Sequence, residues 1–167
     1  MKKLFVTLSA IAILASCEEK KPVVFQNDTE PHEWVGQMTV KEKPNAHSGK
    51  SVSVIDSLNP YSLGFHKIIQ DISPDKIKKI TYSYWILIRS ANVKVASVMS
   101  IDLEGKNINW QGIPQEGKLK EINKWVKVND TFEIPANIES KDVLSLFVWN
   151  TSKEEILVDD FEITVEK

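Results

Sequence analysis

From residue 23 onward, apolar and polar positions alternate with a period of two over most of the chain. Alternation of this kind is typical of β-strands that bury one face, whereas apolar residues at helical spacing are scarce. A short helical turn competes with a strand only at residues 75–80. The pattern predicts ten strands: Val23–Gln26, Trp34–Val40, Ser51–Ile55, Ser62–Ile69, Ile77–Arg89, Val93–Ile101, Ile108–Trp110, Lys124–Ile134, Val143–Asn150 and Ile156–Val165.

Turn-forming residues separate these strands. They lie at Pro44-Asn45, Asn59-Pro60, Ser73-Pro74-Asp75, Glu104-Gly105-Lys106-Asn107 and Pro135-Ala136-Asn137. About ten short strands in one domain predict an all-β fold, in which two antiparallel sheets pack as a sandwich.

Two long strands each have one uniform face and one mixed face. The uniform faces, predicted to lie between the sheets, carry Tyr82, Tyr84, Ile86 and Ile88 on one strand and Leu144, Leu146 and Val148 on the other. The mixed faces carry Trp85, Arg89, Phe147 and Trp149. If the two strands are neighbours in one sheet, the aromatic residues form an exposed platform. The alternative is a second small core under a loop or the N-terminal segment, because large exposed apolar patches are uncommon.

The N-terminus has the pattern of a cleaved export signal. Lys2 and Lys3 precede an apolar run from residue 4 to residue 15. The run is shorter than the ~20 residues that cross a bilayer, so residues 1–16 are predicted to be a signal peptide. Its last residues and Cys17, Leu-Ala-Ser-Cys, resemble the lipobox of bacterial lipoproteins.

This resemblance implies that Cys17 is lipidated and that the membrane holds the protein by its lipid alone. Residues 17–22 then form a charged tether, and residues 23–167 form the folded domain. The acidic pair Glu18-Glu19 resembles the surface-export signal of Bacteroidetes lipoproteins, although a merely soluble tether explains it equally well. The expected location is the bacterial cell envelope at the outer membrane, with the membrane face left open.

Composition excludes several functional classes. Lys and Arg total 21 and Asp and Glu total 23, a net charge of −2, so no nucleic acid is expected as a partner. One Cys and three His at unsuitable spacings provide no Cys-cluster or HExxH metal site. No nucleophile or phosphate-binding motif is present, so the protein is not expected to be an enzyme.

Several short motifs share the order of one group of β-sandwiches. They are Asn27-Asp28-Thr29-Glu30 followed by Trp34, then Ala46–Ser51, Trp125–Pro135, Val148–Asn150 and Val158–Ile163. Together they resemble galactose-binding-like and carbohydrate-binding-module jelly rolls, with Thr29 replacing the usual Phe. The resemblance implies a jelly-roll fold and non-catalytic carbohydrate binding.

Many of those jelly rolls hold a structural Ca²⁺, which prefers six to eight oxygen ligands. The resemblance therefore implies a possible Ca²⁺ site formed by Glu30, Asp159 and the backbone from Ser48 to Lys50. Strand alternation predicts that Asp159 shares a face with Phe161 at the core edge and that Asp160 points to solvent. The alternative is that Asp159 accepts backbone N–H groups with no metal.

The leading hypothesis is a lipid-anchored envelope protein that binds a glycan through exposed aromatic side chains. Sugar rings stack on aromatic faces, and polar neighbours bond their hydroxyls. In the competing hypothesis, the same face docks an envelope protein and the chain is a scaffold or interaction lipoprotein. Trp34 and Trp125 are assigned to structure, and the predicted binding residues are Trp85, Arg89, Trp110, Phe147 and Trp149.

Overall fold

The computed structural model describes residues 21–30 and 34–167. The predicted signal peptide at 1–16, the lipidation site Cys17 and tether residues 18–20 lie outside the described residues. Within the described part, no helix is long and apolar enough to cross a bilayer.

Ten strands, one short α-helix and one 3₁₀ turn form the described structure. The 3₁₀ turn is Gln37–Thr39, and α1 is Ile69–Ile72. The strands are β1 Val23–Asn27, β2 Val40–Glu42, β3 Ser51–Ile55, β4 Phe65–Ile68, β5 Lys79–Ile88, β6 Val95–Leu103, β7 Lys106–Pro114, β8 Trp125–Glu133, β9 Val143–Asn150 and β10 Ile156–Glu166.

The strands form two antiparallel sheets, as the alternation predicted. One sheet has the order β2-β3-β10-β5-β8, and β1 adds a sixth strand by pairing with β10. The other has the order β4-β9-β6-β7. Along one edge of β10, residues 156–158 pair with β3 and residues 161–165 pair with β1. Asp159 and Asp160 lie in the gap between these two partners.

The main core fills the space between the sheets, and the predicted uniform faces line it. Tyr82 and Tyr84 from β5 and Leu144, Leu146 and Val148 from β9 are fully buried there. A smaller apolar cluster covers part of the outer face of the six-stranded sheet. It consists of Val52, Val54, Leu87 and Leu157, with Ala46 and Trp125 packed against it.

Three elements differ from their predictions. A 3₁₀ turn, Gln37–Thr39, interrupts the predicted strand Trp34–Val40, because Gly36 takes a left-handed φ of 88° and the Thr39 hydroxyl donates to the Gly36 carbonyl at 2.9 Å. The helical turn is α1, not residues 75–80. The predicted strand Ile108–Trp110 extends to the whole of β7, whose exposed edge positions are too polar to show in a hydrophobic pattern.

A β-bulge in β10 shifts its side-chain alternation. Asp160 has a φ of 46°, and the pairing with β5 changes register between Asp159 and Glu162. As a result Val158 and Phe161 both belong to the main core, whereas Leu157 lies in the outer cluster. The prediction that Asp159 shares a face with Phe161 is therefore wrong, because an inserted bulge residue reverses the alternation.

Candidate functional site

Four aromatic side chains lie together on the outer face of the four-stranded sheet. We call this group, Tyr61, Trp110, Phe147 and Trp149, the aromatic face. Trp149 and Phe147 stand at alternate positions of β9, and Trp110 comes from β7. Tyr61 precedes β4 and forms an isolated backbone bridge with Trp149. The four rings therefore come from three separate parts of the chain.

The rings are in mutual contact and partly open to solvent. The centroids of Tyr61 and Phe147 are 5.5 Å apart with the rings perpendicular, and Tyr61 is nearly parallel to Trp149 at 6.4 Å. Trp110 meets Trp149 edge-on at 6.0 Å. Tyr61 is 52% exposed and Trp110 is 50% exposed. Their free ring surfaces are thus available to a ligand.

A glycine sets the position of the Trp110 ring. A Cβ atom on Gly112 would lie 2.4 Å from the far edge of the Trp110 indole. Real Cβ atoms do not approach so closely, so the indole rests on the bare backbone of Gly112. No larger residue at 112 leaves the ring in this place.

Polar side chains adjoin the aromatic face in one row across the sheet. His66, Ser145, Ser100 and Trp110 occupy matching positions on β4, β9, β6 and β7. His66 Nδ1 lies 2.9 Å from the Ser145 hydroxyl, and Asn107 Nδ2 donates to the Ser100 hydroxyl at 2.8 Å. The Ser100 hydroxyl is buried and also donates to Asp102 at 3.1 Å, whereas the His66 imidazole and the Asn107 amide are exposed. The surface therefore combines ring faces with an exposed imidazole and an exposed amide that can bond sugar hydroxyls.

Trp85 is not part of this face. It lies on β5 in the other sheet, so the condition for a single platform with Phe147 and Trp149 is not met. His47 stacks on Trp85 at 4.0 Å and contacts Trp125 edge-on at 5.6 Å. The alternative prediction, coverage by a loop, describes Trp85 correctly. The mixed faces of β5 and β9 resemble each other in sequence, but only the aromatic rings of β9 are left uncovered by a loop.

Arg89 also lies apart from the aromatic face, just beyond the end of β5. Its Nε is 3.8 Å from Glu155 Oε1, and Lys43 Nζ is 3.7 Å from the other oxygen of Glu155. Of the five predicted binding residues, the structure thus unites Trp110, Phe147 and Trp149. Sequence reasoning missed Tyr61, whose signal was its place directly after the Asn59-Pro60 turn.

The carboxylate of Asp159 is fully buried in the gap between β1 and β3. One oxygen accepts the N–H groups of His47 at 2.9 Å and Ser48 at 3.2 Å. The other accepts the Thr29 hydroxyl and, at 2.8 Å, the N–H of Asp160. Burial raises the pKa of Asp159, and the hydrogen bond from Thr29 is the main opposing influence.

His47 and Ser48 belong to a turn at residues 46–51, and two further carboxylates bind this 46–51 turn. Glu30 Oε1 accepts the Lys50 N–H at 2.8 Å and the Ser51 N–H at 3.2 Å. Asp160 accepts the Ser48 hydroxyl at 2.6 Å and contacts His47 Nδ1. The expectation that Asp160 points to solvent, away from Asp159, is therefore wrong: the bulge turns both side chains toward this turn.

These residues do not fit a calcium cage as they are arranged. Glu30 and Asp159 both reach the turn, as the resemblance implied, but they bind its N–H groups instead of sharing a cation with its carbonyl oxygens. The Lys50 carbonyl accepts the Lys43 N–H at 2.9 Å. Among the described residues, no group of three or more His, Cys, Asp or Glu side chains is placed to hold a metal. The Ca²⁺ site stays a prediction, and hydrogen bonding accounts for the carboxylates.

Comparison with known proteins adds information on the fold. No family model matches the chain, and no curated protein sequence matches it. Among solved structures, the CBM22-1 xylan-binding domain of Paenibacillus barcinonensis Xyn10C is 16% identical, with a TM-score of 0.57 over 89% of this chain and 97% of that one. The CBM22-2 xylan-binding domain of the same enzyme is 14% identical, with a TM-score of 0.58 over 85% of this chain and 99% of that one.

A third similar structure contains the CBM22-1 and GH10 modules of Clostridium thermocellum xylanase 10B complexed with xylohexaose. It is 15% identical, with a TM-score of 0.53 over 87% of this chain and 26% of that one. At these identities the likeness shows the fold alone, a β-sandwich of two antiparallel sheets. It does not transfer a ligand.

Proposed function

We propose that this protein is a non-catalytic domain that binds a glycan across the aromatic face. The observation that carries the proposal is the grouping of partly exposed rings beside a row of hydroxyl, amide and imidazole groups on one sheet face. Apolar faces of sugar rings stack on aromatic side chains, and sugar hydroxyls need polar partners at the edges. The fold shared with xylan-binding domains supports a polysaccharide as the ligand class.

The proposal also includes attachment of this domain to a bacterial envelope. It rests on the lipobox-like residues before Cys17 and on the charged tether that follows. A lipid at Cys17 would hold the sandwich at the outer membrane without a spanning segment. Mass spectrometry of the membrane-extracted protein tests this step, because a lipidated Cys17 at a new N-terminus has a defined mass. An intact, unmodified N-terminus would contradict it.

A glycan array followed by calorimetry tests binding. Because each ring supplies part of the stacking area, Trp149→Ala and Trp110→Ala should each weaken affinity about tenfold, which corresponds to about 1.4 kcal/mol. Arg89→Ala is the matched control, since Arg89 lies beside the other sheet, and it should leave affinity unchanged. Absence of binding to any envelope, plant or host glycan would refute the proposal.

Docking of an envelope protein is the second candidate. It is favoured by two exposed apolar side chains next to the aromatic face, Met38 at 72% and Leu58 at 85% exposure. A pull-down from the native envelope, repeated with excess competing glycan, separates the candidates. A stoichiometric protein partner that survives competition would reverse the ranking.

A further inference from the structure

A pocket of about 480 Å³ opens beside the aromatic face. One wall contains Val35, Gly36, Met38 and Thr39, and the rest of the lining is residues 58–62 with Gly64 and Phe147. Tyr61 and Phe147 belong both to the pocket and to the aromatic face. A ligand that lies across the rings can therefore extend one of its groups into the pocket.

Backbone contacts fix the shape of the pocket. Gly36 has a φ of 88°, and a Cβ atom there would lie 2.9 Å from the Ser62 carbonyl oxygen. Val35 N donates to the Gly64 carbonyl at 3.0 Å, and Gly64 N donates back to Val35 at 2.9 Å. The first wall is thus held against the start of the four-stranded sheet, so the pocket exists before a ligand binds.

Two hydroxyl groups that line the pocket, those of Thr39 and Ser62, are already paired with protein atoms. The Thr39 hydroxyl bonds the Gly36 carbonyl at 2.9 Å and the Ser53 hydroxyl at 2.8 Å. The Ser62 hydroxyl donates to the next residue's carbonyl at 2.7 Å and accepts the Val148 N–H at 2.9 Å. A hydroxyl-rich sugar ring would find few partners among them, and burying its hydroxyls without partners is costly. The pocket therefore suits an apolar group.

The remaining lining favours an aromatic guest. Met38 and Leu58 are largely exposed at the walls, and the rings of Tyr61 and Phe147 adjoin each other at the shared edge. Aromatic rings pack favourably on other rings and on the polarisable methionine sulfur. The volume lies within the range of pockets that bind small organic groups.

We infer that this pocket binds an aromatic acyl group, such as a hydroxycinnamoyl ester, carried by the glycan on the aromatic face. The inference rests on the proposed function and specifies its ligand as an esterified polysaccharide. A glycan is favoured over an apolar side chain of a protein, because the rings that border the pocket lead directly to the polar row of His66, Ser145 and Ser100.

The test compares two forms of one polymer, a feruloylated arabinoxylan and the same arabinoxylan after mild alkaline removal of the esters. Binding of the full chain to each is measured by calorimetry. Burial of the aromatic ester should make the feruloylated form bind about tenfold or more tightly. Met38→Ser and Leu58→Ser should abolish this preference without changing affinity for the de-esterified form, because neither residue belongs to the aromatic face.

Ile122→Ser is the matched control, since Ile122 is 43% exposed and bridges to Ile88 in the other sheet. It should preserve the preference. Equal binding of both polymers, or a preference that survives Met38→Ser and Leu58→Ser, overturns the inference and leaves the proposed function standing. Failure of both polymers to bind also overturns the inference, whereas the proposed function falls only if the glycan array shows no binding to any glycan.

Discussion

The buried carboxylate of Asp159 offers the sharpest test of how this sandwich is held together. It joins β10 to the 46–51 turn and to Thr29 in the gap where β10 has no strand partner on that edge. Asp159→Ala removes the acceptor of four donors at once and leaves the neighbouring strands in place. The substitution therefore measures how much the carboxylate contributes to stability by joining β10 to the turn and to Thr29.

The size of the effect follows from the donors that lose their partner. Asp159 accepts hydrogen bonds from four donors. Two of them, the N–H groups of His47 and Ser48, lie in an exposed turn that water can reach. The Thr29 hydroxyl stays dry, since Thr29 is fully buried, and the Asp160 N–H is partly shielded from water. A buried donor without a partner costs about 1–3 kcal/mol, and removal of the buried charge returns part of that cost. We expect a net loss of about 3 kcal/mol.

Thermal and urea unfolding monitored by circular dichroism measure this loss. For a domain of this size, about 3 kcal/mol lowers the melting temperature by about 6–12 °C. Asp160→Asn is the matched control, because asparagine tolerates a positive φ and still accepts the Ser48 hydroxyl. It should cost less than about 1 kcal/mol.

Chelation decides between hydrogen bonding and the predicted Ca²⁺. With hydrogen bonds alone, excess chelator should leave the unfolding midpoint of the wild-type chain unchanged. A bound metal at one hundred times its Kd would instead contribute about 2.7 kcal/mol, which chelator would remove. A midpoint that falls with chelator in wild type but not in Asp159→Ala would refute our reasoning. A loss below about 1 kcal/mol in Asp159→Ala would refute it equally.

Three further predictions concern the aromatic face and the core. Gly112→Ala should displace the Trp110 indole, changing the near-UV circular dichroism and weakening glycan binding as much as Trp110→Ala does; an unchanged spectrum would contradict this. Tyr84→Phe should cost about 1 kcal/mol in urea unfolding because the Tyr84 hydroxyl bonds Ser97 at 2.7 Å. Tyr82→Phe should cost less, because among the described residues the buried Tyr82 hydroxyl makes no hydrogen bond of ordinary geometry. Burial raises the pKa of both tyrosines above the ordinary value of 10.0, so just above pH 10 these two hydroxyls ionise only in the unfolded chain. Stability should therefore fall as pH rises there, by up to about 1.4 kcal/mol per pH unit per tyrosine, with a shallower slope in Tyr82→Phe.

Local patterns in the chain were sufficient to predict the fold class. Period-two alternation identified the core faces of β5 and β9, since a strand buried on one face must place its apolar residues at every second position. The Glu104-Gly105 turn was predictable as well, because a tight hairpin needs residues that accept positive φ, and both do so here at 50° and 76°. These features depend on neighbours in sequence, which a sequence displays directly.

Departures from prediction arise where a local rule is interrupted. The bulge at Asp160 reverses the alternation of β10, and neither Asp159 nor its neighbours signal where the extra residue lies. The 3₁₀ turn after Gly36 has the composition of a strand, but one positive φ and one hydroxyl contact redirect it. In both places a single backbone conformation outweighs the preferences of several side chains.

Tertiary structure alone decided which aromatic residues form one surface. Trp85 and Trp149 have nearly the same sequence surroundings, mixed strand faces with a uniform apolar face opposite. Strand order places them in different sheets, where the 46–51 turn covers Trp85 and leaves Trp149 beside Tyr61. A strand's own sequence specifies which side chains leave the core, but its neighbours in the sheet are set by pairings between distant segments. For this reason the sequence determined the rings that face outward, and only the folded chain determined which of them meet.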